Sequence, residues 1–152
     1  ERIRVHGDYH LGQVLVKDDD FYILDFEGEP ESTIRDRKVK QPPLKDVAGL
    51  FRSFHYAIYA TIFNNINDYK ATQEDLFKTG EILYRYITGL FLGTYVTETQ
   101  NANLNLGYNQ ERLFILKYCL LEKAVYELGY ELNSRPQWAV IPLKGISNII
   151  NH

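Results

Sequence analysis

The chain predicts an α+β fold that is mostly helical: one short β-hairpin near the start, followed by three main helices. Three observations carry this. Two short runs rich in branched and aromatic residues, Val14-Leu15-Val16-Lys17 and Phe21-Tyr22-Ile23-Leu24, flank Asp18-Asp19-Asp20, the pattern of two strands joined by a polar turn. Three later stretches repeat apolar residues at helical spacing. Between them lies the charged segment Glu27 to Pro43, which ends in two prolines and shows no period.

In chain order, Arg2-Ile3-Arg4-Val5 reads as a short strand leading into a loop that contains Gly7 and Gly12. Centring the hairpin on Asp19 pairs Val14 with Leu24 and, one step further out, Gln13 with Asp25. Residues 27 to 43 are expected to be irregular, and the cations Arg35, Arg37, Lys38 and Lys40 there read as a solvated basic loop before they read as phosphate ligands. The first helix runs from about Leu44 to Phe63, with Val47, Leu50, Phe51, Phe54, Ile58 and Ile62 on one face and Pro43 near its start. Arg52 and His55 on this helix are either exposed or in support of a site.

The second helix opens at Thr72-Gln73-Glu74-Asp75, a capping box, and continues to about Thr97; Gly80, Gly89 and Gly93 offer room for close packing. Gln100 to Asn109 is a loop rich in Asn and Gly. The third helix, Gln110 to about Leu132, turns Leu113, Leu116, Leu120, Leu121, Ala124 and Leu128 inward. Its other stripe carries Lys123, Glu127 and Glu131 at four-residue steps beside Tyr126 and Tyr130, so cation, carboxylates and rings share a face. On the residues alone that face is equally a sugar-binding surface and a salt-bridge ladder. After Arg135-Pro136 the tail from Ile141 to Ile150 folds back as a short apolar segment or helix.

A length of 152 residues with 45% hydrophobic content suits a single domain over 1–152, with a catalytic loop and metal hairpin in 1–30 and a helical region in 44–152. A net charge of −3 offers no footprint for nucleic acid, and neither a long apolar run nor a leader pattern points to a membrane or to secretion. The lone Cys119 provides neither a disulfide framework nor a thiolate metal site, and a reducing, cytoplasmic setting is expected.

The chemistry concentrates in His6-Gly7-Asp8-Tyr9-His10-Leu11-Gly12-Gln13 and in Asp25-Phe26. Phosphoryl transfer to an alcohol uses an acidic residue that takes the proton of the attacking hydroxyl, an amide side chain five positions on, and a further aspartate, the last two holding Mg²⁺ on ATP. Asp8, Gln13 and Asp25 meet that order. Asp8 is the candidate catalytic residue, and Gln13 and Asp25 are the candidate metal and nucleotide ligands. His6 is expected to order the loop backbone and His10 to support it. Asp46, in the first turn of its helix, stands where a carboxylate is favoured by the helix dipole.

These residues resemble the aminoglycoside phosphotransferase and choline kinase group, distant relatives of the protein kinases. The nearer likeness is to maltokinases, including those fused to trehalose synthase. It rests on Gln13 in place of the usual asparagine, Asp25-Phe26-Glu27-Gly28-Glu29-Pro30, the block Pro43 to Phe54, Leu121-Glu122-Lys123-Ala124-Val125-Tyr126-Glu127, Arg135-Pro136-x-Trp138 and Ile141-Pro142-Leu143. The resemblance implies the C-terminal lobe of a protein-kinase-like fold and transfer of the γ-phosphoryl group of ATP to the anomeric hydroxyl of maltose. It makes Asp46 a support for Asp8 through backbone amides of the catalytic loop. It also turns Lys123 and Tyr126, with Glu127 and Tyr130, toward the sugar.

No glycine-rich phosphate loop occurs, and the catalytic loop begins almost at residue 1, so an N-terminal nucleotide lobe is expected as partner and the isolated chain is expected to be inactive. Two other readings stay open: a kinase of the same fold for an aminoglycoside, a choline-like amine or a different sugar, and a non-catalytic docking module of a trehalose synthase.

Overall fold

A computed structural model describes residues 1–152. It contains one two-stranded antiparallel sheet, β1 (Val14–Lys17) and β2 (Asp20–Ile23), and five helices: α1 (Ile34–Lys38), α2 (Leu44–Asn65), α3 (Gln73–Asn101), α4 (Asn109–Ser134) and α5 (Val140–Asn151). Mostly helical with one hairpin is thus the observed architecture. No helix is long and apolar enough to cross a membrane.

The core forms where α2 crosses α4: Leu44, Val47, Ala48 and Phe51 are buried against Leu116, Cys119 and Leu120. Helix α3 packs on α2 as well, its Phe91, Leu92 and Tyr95 against the same core, and Gly80 lets the two helices approach. A Cβ there would stand 3.0 Å from both Ile58 and Ile62. A Cβ at Gly89 or Gly93, glycines expected to serve the same end, would meet no neighbouring atom within 4 Å. Thr72 caps α3 as its motif predicts, its hydroxyl accepting from the Asp75 amide.

The details depart from expectation in several places. The turn is a two-residue one over Asp18 and Asp19, so Val14 pairs with Ile23 and the register is shifted by one from the expected pairing with Leu24. Asp18 absorbs the tight reversal with φ +54°, a left-handed conformation that aspartate tolerates better than most residues. Arg2–Val5 is not a strand; Ile3 makes a single bridge to Gln41. Segment 27–43 contains the short helix α1, capped by the Thr33 hydroxyl on the Asp36 amide at 3.1 Å, a Thr-x-x-Asp signal that lay in plain sequence. Helix α3 runs on to Asn101, shortening the expected loop. The tail forms α5. Leu113, expected inside, is 52% exposed.

Two polar residues expected at the surface or near a site are in the core. Arg52 is 1% exposed and His55 is 0% exposed. The His55 ring lies 4.4 Å from the Tyr59 ring and meets Tyr84 edge-on, and neither of its nitrogens has a hydrogen-bond partner. Burial, reinforced by the positive charges of Arg52 and Lys144, lowers its pKa from 6.5 to about 2. The folded protein therefore keeps His55 neutral while the unfolded chain takes up a proton as pH falls below 6.5. Stability from this residue is intact above that value and is lost as pH falls toward the folded pKa, by about 1.4 kcal/mol per pH unit. Replacing His55 with Phe removes this contribution. Denaturant midpoints at pH 7 and pH 5 should show the wild type losing about 2 kcal/mol more than His55→Phe, and equal losses would contradict the assignment.

Candidate active site

The loop from His6 to His10 is held from below by α2. Asp46 accepts the His6 amide at 2.7 Å and the Gly7 amide at 2.9 Å, spending its carboxylate on the loop. One turn on, Gly49 lies under the loop; a Cβ there would stand 2.6 Å from the Tyr9 carbonyl oxygen. A further turn along, the Ser53 hydroxyl accepts from the Leu11 amide at 3.1 Å and donates to the Leu50 carbonyl at 2.7 Å. Three residues on one side of α2 thus fix the loop by two amides, a close backbone approach and a hydroxyl.

His6 completes the clamp from inside. Its Nδ1 accepts the Asp8 amide at 3.3 Å, which leaves Nε2 to donate to the Leu24 carbonyl at 2.6 Å. An amide can only donate and a carbonyl can only accept, so the imidazole is the neutral Nε2–H tautomer. The ring is buried between Tyr9 and Phe26, and it ties the loop to the end of β2. Gly7 supplies a φ of +90° and packs against Gly28, leaving no room for a side chain.

Asp8 faces a cleft of about 350 Å³ between this loop, the 29–36 segment and α4. The Lys123 ammonium approaches its carboxylate to 4.0 Å and also pairs with Glu29. His10 places Nε2 3.6 Å from Asp8, while its Nδ1 accepts the Gly12 amide at 3.0 Å and so caps the 3₁₀ turn Leu11–Gln13. The ring occupies the space a Gly12 side chain would need.

Gln13 and Asp25 come together, but not by the register expected. The ladder continues from Val14 and Ile23 to the Leu24 amide donating to the Gln13 carbonyl at 2.8 Å, which makes Leu24 the partner of Gln13. Asp25 then adopts φ +60°, leaving the strand and swinging its carboxylate back, where it accepts from Gln13 Nε2 at 3.0 Å. A non-glycine residue in the left-handed region is held there by its surroundings, and such strain gathers at functional positions. A half-turn of the Gln13 amide presents its oxygen beside the Asp25 carboxylate. No group of three or more His, Cys, Asp or Glu residues able to hold a metal occurs. Two oxygen ligands completed by phosphate and water suit Mg²⁺, which binds in just that way in nucleotide sites.

The face of α4 divides. Lys123 and Tyr126 line the cleft, and Tyr126 donates to Glu31 at 2.7 Å, a bond that pushes its phenol up to about 12. Glu127 does not line it: its Oε2 takes Arg52 Nε at 2.9 Å and Nη2 at 2.8 Å in the space between α4 and α2. Burial pushes the Glu127 carboxyl up while Arg52 opposes the shift. Tyr130 is exposed and lies outside the cleft lining. The stripe read as one surface therefore runs inward, from Lys123 at the cleft to Glu131 at 1% exposure.

Sequence reasoning missed Asp36, Lys45 and Glu122 in the lining. Lys45 adjoins Asp46, and Glu122 adjoins Lys123, so chain neighbours were the available signal. Cys119 also lines the cleft, but burial pushes its thiol up to about 11, which keeps it neutral.

Removing the Asp46 carboxylate strands two loop amides. Asp46→Ala should cost about 1–3 kcal/mol of stability, as expected when such donors lose their partner. Thermal unfolding monitored by circular dichroism reads this, and an unchanged midpoint would contradict the clamp.

No family model matches the chain. It is 24% identical over 148 residues to a glucosamine kinase of Streptacidiphilus jiangxiensis, covering 97% of this chain and 32% of that protein. It is 27% identical over 138 residues to a glucosamine kinase of Mycolicibacterium smegmatis, covering 90% of this chain and 32% of that protein. A solved glucosamine kinase, crystal form B, superposes with a TM-score of 0.82 at 22% identity over 99% of this chain and 34% of its own. A glucosamine kinase in complex with glucosamine, ADP and inorganic phosphate superposes with a TM-score of 0.81 at 22% identity, over 99% of this chain and 35% of its own. The chain spans about a third of the length of the curated relatives it matches. These likenesses support a relationship to kinases but not to maltokinases in particular, and the fold they identify is the one found in solved glucosamine kinases.

Proposed function

We propose that the chain is the acceptor-side and metal-side lobe of an ATP-dependent sugar kinase, in the manner of the C-terminal lobe of protein-kinase-like enzymes. The observation that carries this is the placement of Asp8: a carboxylate at the mouth of a cleft, on a loop whose His6 and Gly7 amides are tied down by Asp46. The relatives named glucosamine kinase and the fold shared with their solved structures support the same reading.

In this reading the acceptor hydroxyl approaches Asp8, which takes its proton as the oxygen bonds to the γ-phosphorus. The bond from that phosphorus to the bridging oxygen breaks, and ADP leaves with the electron pair. Asp25 and Gln13 would hold Mg²⁺, which when bound neutralises charge on the phosphates. Lys123, 4.0 Å from Asp8, offers a cation to the acceptor oxygens or to the transferring group. The remaining nucleotide contacts fall to a separate lobe. Glu29 orients Lys123, and Tyr126 offers an aromatic face to the sugar ring.

The acceptor we infer is a sugar bearing an amine, such as glucosamine, before maltose. Four carboxylates line the cleft (Asp8, Glu29, Asp36 and Glu122) against the ammoniums of Lys45 and Lys123. An excess of negative charge in a confined cleft favours a cationic ligand over a neutral disaccharide. Incubating the complete protein with ATP, Mg²⁺ and either glucosamine or maltose, and following ADP release, tests this. Transfer to glucosamine is expected, and transfer to maltose alone would overturn the choice of acceptor.

Two substitutions in the complete protein test the roles. Asp8→Asn should lower kcat by about 10²-fold or more while ATP affinity holds, because a general base acts on the chemical step; near-normal turnover would remove Asp8 from the mechanism. Asp25→Asn should raise the Mg²⁺ concentration needed for half-maximal rate, and an unchanged titration would refute its assignment.

A further inference from the structure

Helix α2 and helix α4 each carry half of the cleft. Helix α2 holds the Asp8 loop through Asp46, Gly49 and Ser53, and α4 supplies Lys123. What presses the two helices together is largely apolar, Val47 and Phe51 against Leu116, Cys119 and Leu120. Apolar contact is non-directional, so it opposes separation of the helices more strongly than their sliding. Of the directional contacts across this interface, the one nearest Lys123 is an ion pair: the Arg52 guanidinium gives two N–H groups to Glu127 Oε2 at 2.9 and 2.8 Å, between residues 75 apart in the chain.

Arg52 follows Asp46 by six residues on α2, under two turns, and Glu127 stands one turn after Lys123 on α4. The pair is enclosed, at 1% and 13% side-chain exposure. Room for it comes from α5, where a Cβ on Gly145 would fall 2.1 Å from Arg52 Nη1. Tyr56 extends the arrangement: its ring lies 5.9 Å from the Arg52 guanidinium carbon and its hydroxyl donates to Glu131 at 3.3 Å. Glu131 is in turn held by Arg135 through Nε at 3.0 Å and Nη2 at 2.6 Å. A buried ion pair of this kind adds little net stability over an apolar pair of equal volume; its best-attested use is to fix register.

We infer that the Arg52–Glu127 pair sets the register of α4 on α2 and thereby the separation of Asp8 and Lys123, which makes Arg52 and Glu127 positioning residues for phosphoryl transfer. The inference rests on the kinase reading above. Neither residue lines the cleft, so the account places no nucleotide contact on them. A displacement of about 1 Å between reacting groups is enough to lower a rate by about 10²-fold.

The experiment uses the complete protein with ATP and the sugar it phosphorylates, in four forms: wild type, Glu127→Gln, Arg52→Lys and Arg52→Met. Circular dichroism and the thermal midpoint establish folding, and steady-state kinetics separate kcat from the KM for ATP. Expected is a folded Glu127→Gln whose kcat falls about ten- to a hundredfold while the KM for ATP stays within about twofold, and an Arg52→Lys that recovers part of the kcat lost in Arg52→Met. Glu127→Gln and Arg52→Lys decide the matter if Arg52→Met does not fold. A folded Glu127→Gln with wild-type kcat would overturn the inference. So would a KM for ATP that rises in step with the fall in kcat, or loss of the fold in both conservative variants, which would make the pair a folding element. A wild type that phosphorylates no sugar would instead defeat the proposed function.

Discussion

The loop that carries Asp8 depends on one carboxylate accepting two backbone amides. Asp46 has no part in capping its own helix by a side-chain hydrogen bond; its oxygens go to the His6 and Gly7 amides, 40 and 39 residues away in the chain. The geometry converts a helix, the most rigid local element available, into the support of an otherwise irregular loop. His6 then transmits the same order to the hairpin by bonding the Asp8 amide and the Leu24 carbonyl, so the loop and the segment after β2 that carries Asp25 share one anchor. Local order in the loop that carries Asp8 is thus borrowed from α2, and α2 is itself secured by the apolar core it forms with α4.

Charge is arranged with the same economy of position. At the mouth, Asp8, Glu29 and Lys123 form a compact group in which one ammonium serves two carboxylates. Further in, Glu127 and Glu131 continue the same stripe of α4 but meet the arginines Arg52 and Arg135. The stripe is therefore graded from Lys123, which lines the cleft, toward paired groups closed to it. His55, neutral and without a partner among aromatic rings, marks the point where the polar arrangement gives way to the core.

The parts of this structure legible from the chain are those whose partners are near in sequence. The hairpin, the Thr72 cap, the long helices and the approach of Gln13 to Asp25 all follow from short-range pattern. Even there the means differed: a two-residue turn shifted the register, and the left-handed Asp25 backbone restored the contact that the shifted ladder alone would have lost. Helix α1 was missed although Thr33 and Asp36 announce it, because its five residues carry no apolar period. Burial of Arg52, His55 and Glu131 was not legible at all. A charged residue enters a core only when a partner waits there, and the partner of Arg52 lies 75 residues on, beyond the reach of any local pattern. Glu127 and Tyr130, read as sugar contacts, lie outside the lining of the Asp8 cleft for a related reason: a helical face read from spacing does not say which neighbour each turn will meet.

The anchor itself is open to direct observation by amide hydrogen exchange, resolved to single residues in the complete protein. If Asp46 holds the loop, the His6 and Gly7 amides exchange slowly, with protection comparable to that of the α2 amides around Phe51. Exchange of these two amides at the rate of an unrestrained surface loop, with α2 still protected, would contradict the account.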